Sequence, residues 1–154
     1  KCMIARPDPM LIGRLSHGQQ PQRWLGLDLG SHAIKLVELA DKWIKSKDPV
    51  RRRCGYGLLY EIGKSKKKSA PDEAYFLEHI KTIEAKSSKA SIDDRMAMAS
   101  SLLSIGKRSK KLNKAAVRVA KKIGPIDFDP DGNCDPMDVT KHLTSPYVKD
   151  KLGL

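Results

Sequence analysis

KSKKKSAPDEAYFLEHIKTIEAKSSK, residues 64 to 89, holds the unit from which the fold can be read: a lysine–serine tract, an amphipathic segment, and a second such tract. Pro71-Asp72 opens the segment, and Tyr75, Phe76, Ile80 and Ile83 recur at three- and four-residue spacing, the stripe of a helix with one buried side. Comparable tracts stand on either side of this unit, KSKD from Lys45 and KRSKK from Lys107. Basic turns therefore separate helices of about 15 residues, and two helices with their turns make a period of about 42.

Working outward, Ile34, Val37, Ala40 and Ile44 predict a helix capped by Ser31. Asp48-Pro49 closes it and starts the next, which is expected to run to about Ile62 and to end at Gly63. Its expected buried residues are Val50, Cys54, Leu58 and Ile62, with Gly55 and Gly57 implying close helix contact. Ser91 or Asp93 begins a helix carrying Met96, Met98, Leu102, Leu103 and Ile105 and ending at Gly106. Another spans Leu112 to Ile123, stopped by Gly124-Pro125. An Asp- and Gly-rich loop, Ile126 to Pro136, precedes a short helix around Met137–Leu143. No stretch alternates like a strand over more than a few residues. The expected architecture is all-α, a HEAT-like helical repeat (α-solenoid) over residues 24–154, preceded by an extended Pro- and Gly-containing arm over 1–23.

Thirty Lys and Arg against 18 Asp and Glu give the 154 residues a formal charge of +12, which favours a polyanionic partner. Nucleic acid, DNA or RNA, is the expected partner and a membrane is not. Three scattered cysteines without a CxxC pair suggest neither a disulfide framework nor a zinc site, so an intracellular, reducing compartment is expected. The start, KCMIARPDPM, is not a secretory signal and is expected to belong to a processed product or a fragment.

The candidate phosphate contacts are Arg51, Arg52 and Arg53, then Lys64, Lys66 and Lys67, then Lys107, Arg108, Lys110 and Lys111. The three arginines fall in the first turns of a helix, where cations are disfavoured, so something anionic should compensate them. Either phosphate or ion pairs with Asp48, Glu38 and Glu61 would serve. His32, His79 and His142 read as isolated; no metal or cofactor is expected. Trp24 and Asp28 stand one helical turn apart, a pairing of indole and carboxylate suited to stacking on a nucleotide and stabilising an oxocarbenium-like sugar. The same tract, LGLDLGSHAIKLVEL, also looks like the first phosphate-binding loop of actin-like ATPases, but that fold needs a β-hairpin next and a lysine-rich helix follows instead.

Three stretches together resemble the DNA alkylation repair family, HEAT-like-repeat proteins that include alkylpurine DNA glycosylases. They are ADKWIKSKDPVRRRCGYGLLYEIGKS from Ala40, DDRMAMASSLLSIGKRSKKLNKAAVRVAKKIGPIDFD from Asp93, and DGNCDPMDVTKHL from Asp131. The resemblance covers residues 24–154 and implies a concave DNA-binding surface. It places a lesion-flanking tryptophan and aspartate on Trp24 and Asp28, and a backbone-gripping arginine on Arg53 or Arg52. A second aromatic wall expected within Met96–Ser101 is absent, since only Met, Ala and Ser stand there. The implied activity is cleavage of the N-glycosidic bond of cationic alkylated purines. The alternative is a non-catalytic basic scaffold docked on RNA or a ribonucleoprotein such as a ribosome, part of a larger assembly.

Overall fold

The computed structural model describes residues 31–129, 132 and 134–154. Its helices are α1 (Ser31–Ile44), α2 (Pro49–Lys64), α3 (Glu73–Lys86), α4 (Ile92–Gly106), α5 (Lys110–Ile123), α6 (Val139–Leu143) and α7 (Pro146–Leu152), with a 3-10 turn, Ser87–Lys89, after α3. The starts of α2, α3, α4 and α5 share a chemical cause. Asp48 accepts the amides of Val50 and Arg51, Asp72 that of Tyr75, Ser91 that of Asp94 and Ser109 that of Leu112, so donors that the helix leaves orphaned find acceptors. No strand occurs among the described residues; a lone antiparallel bridge, Ile126 to Met137, ties the ends of the aspartate-rich loop.

The helices stack in two layers. α2 and α4 run parallel in one: Arg52 near the start of α2 reaches Asp94 near the start of α4, Ser101 Oγ donates to the Tyr56 carbonyl at 2.8 Å midway, and Arg108 beyond α4 reaches the Gly63 carbonyl. α1, α3 and α5 form the other, each stepping to the next with the same offset. Asp41 accepts from Tyr75 Oη and meets His79 Nε2, 34 and 38 residues ahead; Glu84 meets Arg118 and Lys122, again 34 and 38 ahead. Ser31 to Glu73 and Pro49 to Ile92 are strides of about 42 residues, the repeat read from the sequence. Tyr56, Leu59, Phe76, Ile80, Met98, Leu102 and Ile105 fill the space between layers.

The buried side of α2 is not the one expected. Tyr56 and Leu59 face inward with Gly55 and Gly63, whereas Val50 is 57 % exposed and Cys54 is exposed rather than packed as a small apolar residue. The cause is how closely the backbones approach. A Cβ on Gly55 would stand 2.5 Å from the Ile44 amide nitrogen of α1, and one on Gly63 would stand 3.0 Å from Ser104 Cβ of α4. The small residues mark the contact line and push larger ones aside. Gly63 therefore continues the helix, which ends at Lys64. Gly57 has open space where a Cβ would stand, with nothing within 4 Å, so it faces solvent instead of a neighbour. Helix α7 lies beyond the expected elements, although Ser145-Pro146 and the left-handed Gly153 (φ 67°) are ordinary start and stop signals.

Candidate nucleic-acid interface

Helices joined as antiparallel hairpins put successive turns at opposite ends of the stack. The turns before α2 and α4 lie at the Arg52–Asp94 end; those after α2 and α4 lie at the Arg108–Gly63 end. The 16 residues of α2 set these ends about 24 Å apart. The basic tracts, evenly spaced along the chain, thus divide into two groups rather than lining one surface.

At the first end the arginine tract is compensated from within. Arg52 donates from Nε and Nη2 to Asp94 Oδ2 at 3.1 and 2.6 Å, and from Nη1 to the carbonyls of Ser46 and Lys47. The hydrogen bond to Asp94, whose side chain is 4 % exposed, raises the Arg52 pKa above its already high value. Arg53 pairs with Asp93, and Arg51 lies 4.0 Å from Asp48 in an exposed pair. Of the acids expected as partners only Asp48 is used; the first turn of α4 supplies the others. Tyr56 lies buried beneath this cluster, and burial pushes its hydroxyl up to about 12. His79 is not isolated: its Nε2 meets Asp41 at 3.0 Å, and burial lowers its pKa more than that carboxylate raises it.

At the second end the two remaining tracts converge. Lys64, Lys66, Lys107 and Arg108 line one cleft of ≈ 580 Å³, joined by Lys151 of α7. Arg108 is held by the fold: its Nη1 donates to the Gly63 and Ser65 carbonyls at 2.9 and 2.5 Å, its guanidinium lies 4.5 Å over the Phe76 ring, and burial lowers its pKa. Lys64 pairs with Glu61 at 3.2 Å. Lys67 is exposed in the turn, its amide donating to Ser65 Oγ. Lys110 and Lys111 continue from the cleft onto α5, where Lys114, Arg118 and Lys121 follow beside a wider groove of ≈ 1000 Å³. Among the described residues Lys66, Lys107, Lys110, Lys111, Lys114, Lys121 and Lys151 form no ion pair.

Lys114, Lys121 and Lys151 are functional candidates that sequence reasoning misses. The first two could have been found from their spacing behind Lys110 and Lys111, which puts them along one side of a helix; Lys151 sits on α7, outside the expected elements. Trp24 and Asp28 lie outside the described residues. Among the described residues no group of His, Cys, Asp and Glu could hold a metal ion, and no helix is long and apolar enough to cross a membrane. What the second end offers chemically is a set of uncompensated ammonium groups, suited to phosphate oxygens and indifferent to base sequence.

No protein-family model and no curated protein matches the chain. The fold is similar to a solved structure described as a new family of proteins related to the HEAT-like repeat DNA glycosylases with affinity for branched DNA structures, at 19 % sequence identity and a TM-score of 0.63. The similarity covers 79 % of this chain and 55 % of that one, so the chain spans little more than half the length of the protein it matches. In fold, the chain is an all-α HEAT-like helical repeat.

Proposed function

We propose that the chain binds DNA through the end of the stack built by the α2–α3 and α4–α5 turns, continued along α5. One observation carries the reading: two basic tracts far apart in sequence meet at a single cleft, and Lys66, Lys107 and Lys151 there, with Lys110, Lys111, Lys114 and Lys121 on α5, form no ion pair among the described residues. DNA is favoured over RNA by the likeness to a protein with affinity for branched DNA. The test is fluorescence anisotropy with a four-way DNA junction, a DNA duplex and a matched RNA, at salt between about 50 and 200 mM. The logarithm of affinity should fall with the logarithm of salt by about 0.9 per phosphate contact, and Lys66→Glu with Lys107→Glu should weaken binding to every DNA. Affinity independent of salt and of these substitutions sinks the proposal, and a preference for RNA turns it into the ribonucleoprotein-scaffold reading.

Excision of cationic alkylated purines is a second reading, supported by the sequence match of Trp24, Asp28 and Arg53 to the glycosylase pattern. An alkylated purine is already a good leaving group, so a carboxylate need only stabilise the developing sugar cation and guide water. Release of 7-methylguanine from methylated duplex, lost in Asp28→Asn, is the expected outcome; no release at high protein excess rejects it.

A further inference from the structure

The cleft at the second end differs from the α5 groove in shape and charge. Five cationic side chains, Lys64, Lys66, Lys107, Arg108 and Lys151, line it against two carboxylates, Asp72 and Glu73. Both carboxylates have internal tasks: Asp72 caps α3, and Glu73 accepts from Ser109 Oγ. Arg108 and Lys64 are likewise held, by the carbonyls that end α2 and by Glu61. What remains is Lys66, Lys107 and Lys151, three ammonium groups brought from the α2–α3 turn, the α4–α5 turn and α7 to one cleft without acidic partners. At ≈ 580 Å³ the cleft lies within the roughly 300–1,000 Å³ of small-ligand pockets, a volume suited to a single phosphate-bearing group. The α5 lysines, by contrast, lie along an open groove that a continuous backbone can follow.

We infer that this cleft seats the terminal phosphate of a DNA strand, while the α5 lysines contact internal phosphates. A phosphomonoester carries a charge of about −2 at neutral pH and three terminal acceptor oxygens. It therefore matches a cleft lined by three lysines without acidic partners better than a monoanionic diester, whose chain must also leave on both sides. This rests on the proposed DNA binding at the same end of the stack. A phosphate in the cleft could equally come from a free nucleotide, so the test separates the two sources.

Affinity is measured by anisotropy on the full chain with one hairpin DNA in three forms: a 5′-phosphate, a 3′-phosphate, or hydroxyls at both ends. One phosphorylated form should bind about tenfold more tightly than the hydroxyl form. Lys107→Ala combined with Lys151→Ala should bring that ratio to one. Lys114→Ala combined with Lys121→Ala should weaken all three forms alike and preserve the ratio. Far-UV circular dichroism establishes that each variant is folded. Equal affinity of the three forms for the unaltered protein overturns the terminal-phosphate assignment and leaves DNA binding standing; no binding to any form removes both. Displacement of the phosphorylated hairpin by equimolar deoxyadenosine monophosphate overturns the strand-end assignment in favour of a free nucleotide.

Discussion

Asp94→Asn removes the charge that faces Arg52 while keeping the side chain's size. Asp94 Oδ2 receives two guanidinium donors, and the carboxylate is 4 % exposed against 26 % for the arginine. Breaking a buried pair by neutralising one partner costs about 3–5 kcal/mol, because the other charge stays behind without compensation. Arg52 would keep the Ser46 and Lys47 carbonyls and some contact with water, which puts the expected loss at the lower end, about 3 kcal/mol, or about 10 °C in the melting midpoint. Asp93→Asn is the internal control. The Arg53–Asp93 pair is 38 % and 63 % exposed, so its loss should cost less than about 1 kcal/mol. Urea unfolding followed by far-UV circular dichroism gives both values, and anisotropy at fixed salt gives the DNA affinity of each folded variant. Equal costs for the two variants, or loss of DNA binding by folded Asp94→Asn protein, would refute the reasoning that Arg52 is a lock between repeats.

Two further outcomes can be read from stability alone. Gly57→Ala should stabilise by about 0.5–1 kcal/mol, since a methyl there meets nothing within 4 Å and the helix gains propensity, whereas Gly55→Ala should cost about 1–3 kcal/mol by driving a methyl into the α1 backbone; urea midpoints moving in the same direction would contradict the α1–α2 packing. His79 titrates below its ordinary 6.5 in the fold because burial disfavours the imidazolium, so the unfolded chain holds the proton more tightly. The sign follows: stability is fully present above 6.5 and declines as pH falls toward the lower folded value. His79→Gln should flatten the decline in urea midpoint between about pH 7 and about pH 5, and a steeper decline would show that the Asp41 contact, not burial, governs the ring.

The repeat was legible because periodic apolar residues, caps and breakers agree along α1, α3, α4 and α5. The Pro71-Asp72 start of α3 and its Phe76, Ile80 and Ile83 stripe appear as expected. α2 misled because its buried line is drawn by glycines, which carry no hydrophobic pattern and become informative only when the neighbouring backbone is known. The partners of Arg52 and Arg53 were equally hidden: Asp93 and Asp94 lie about 40 residues away and become neighbours only through the parallel stacking of α2 and α4. Cation counts were visible throughout, but which cations stay unpaired is decided by which end of the stack each turn reaches.

That asymmetry leads to a sharper expectation. Cations stand in the first turn of α2, Arg51 and Arg52, and in that of α5, Lys110 and Lys111, and each such placement opposes the helix dipole by about 0.3–1 kcal/mol. In α2 the conflict is resolved internally by Asp48 and Asp94. In α5 no acid lies in the first turn, and Glu73 is directed to the Ser109 hydroxyl rather than to either lysine. A fold that resolves one conflict and leaves the other standing fits a protein whose second conflict is resolved by an anion from outside. Lys110→Glu with Lys111→Glu should therefore raise the stability of the free protein by about 1 kcal/mol while weakening DNA binding at least tenfold. Urea unfolding and anisotropy on the same sample decide the matter. If the double variant loses stability, or binds DNA as well as the unaltered chain, the two lysines belong to the fold and not to a phosphate backbone.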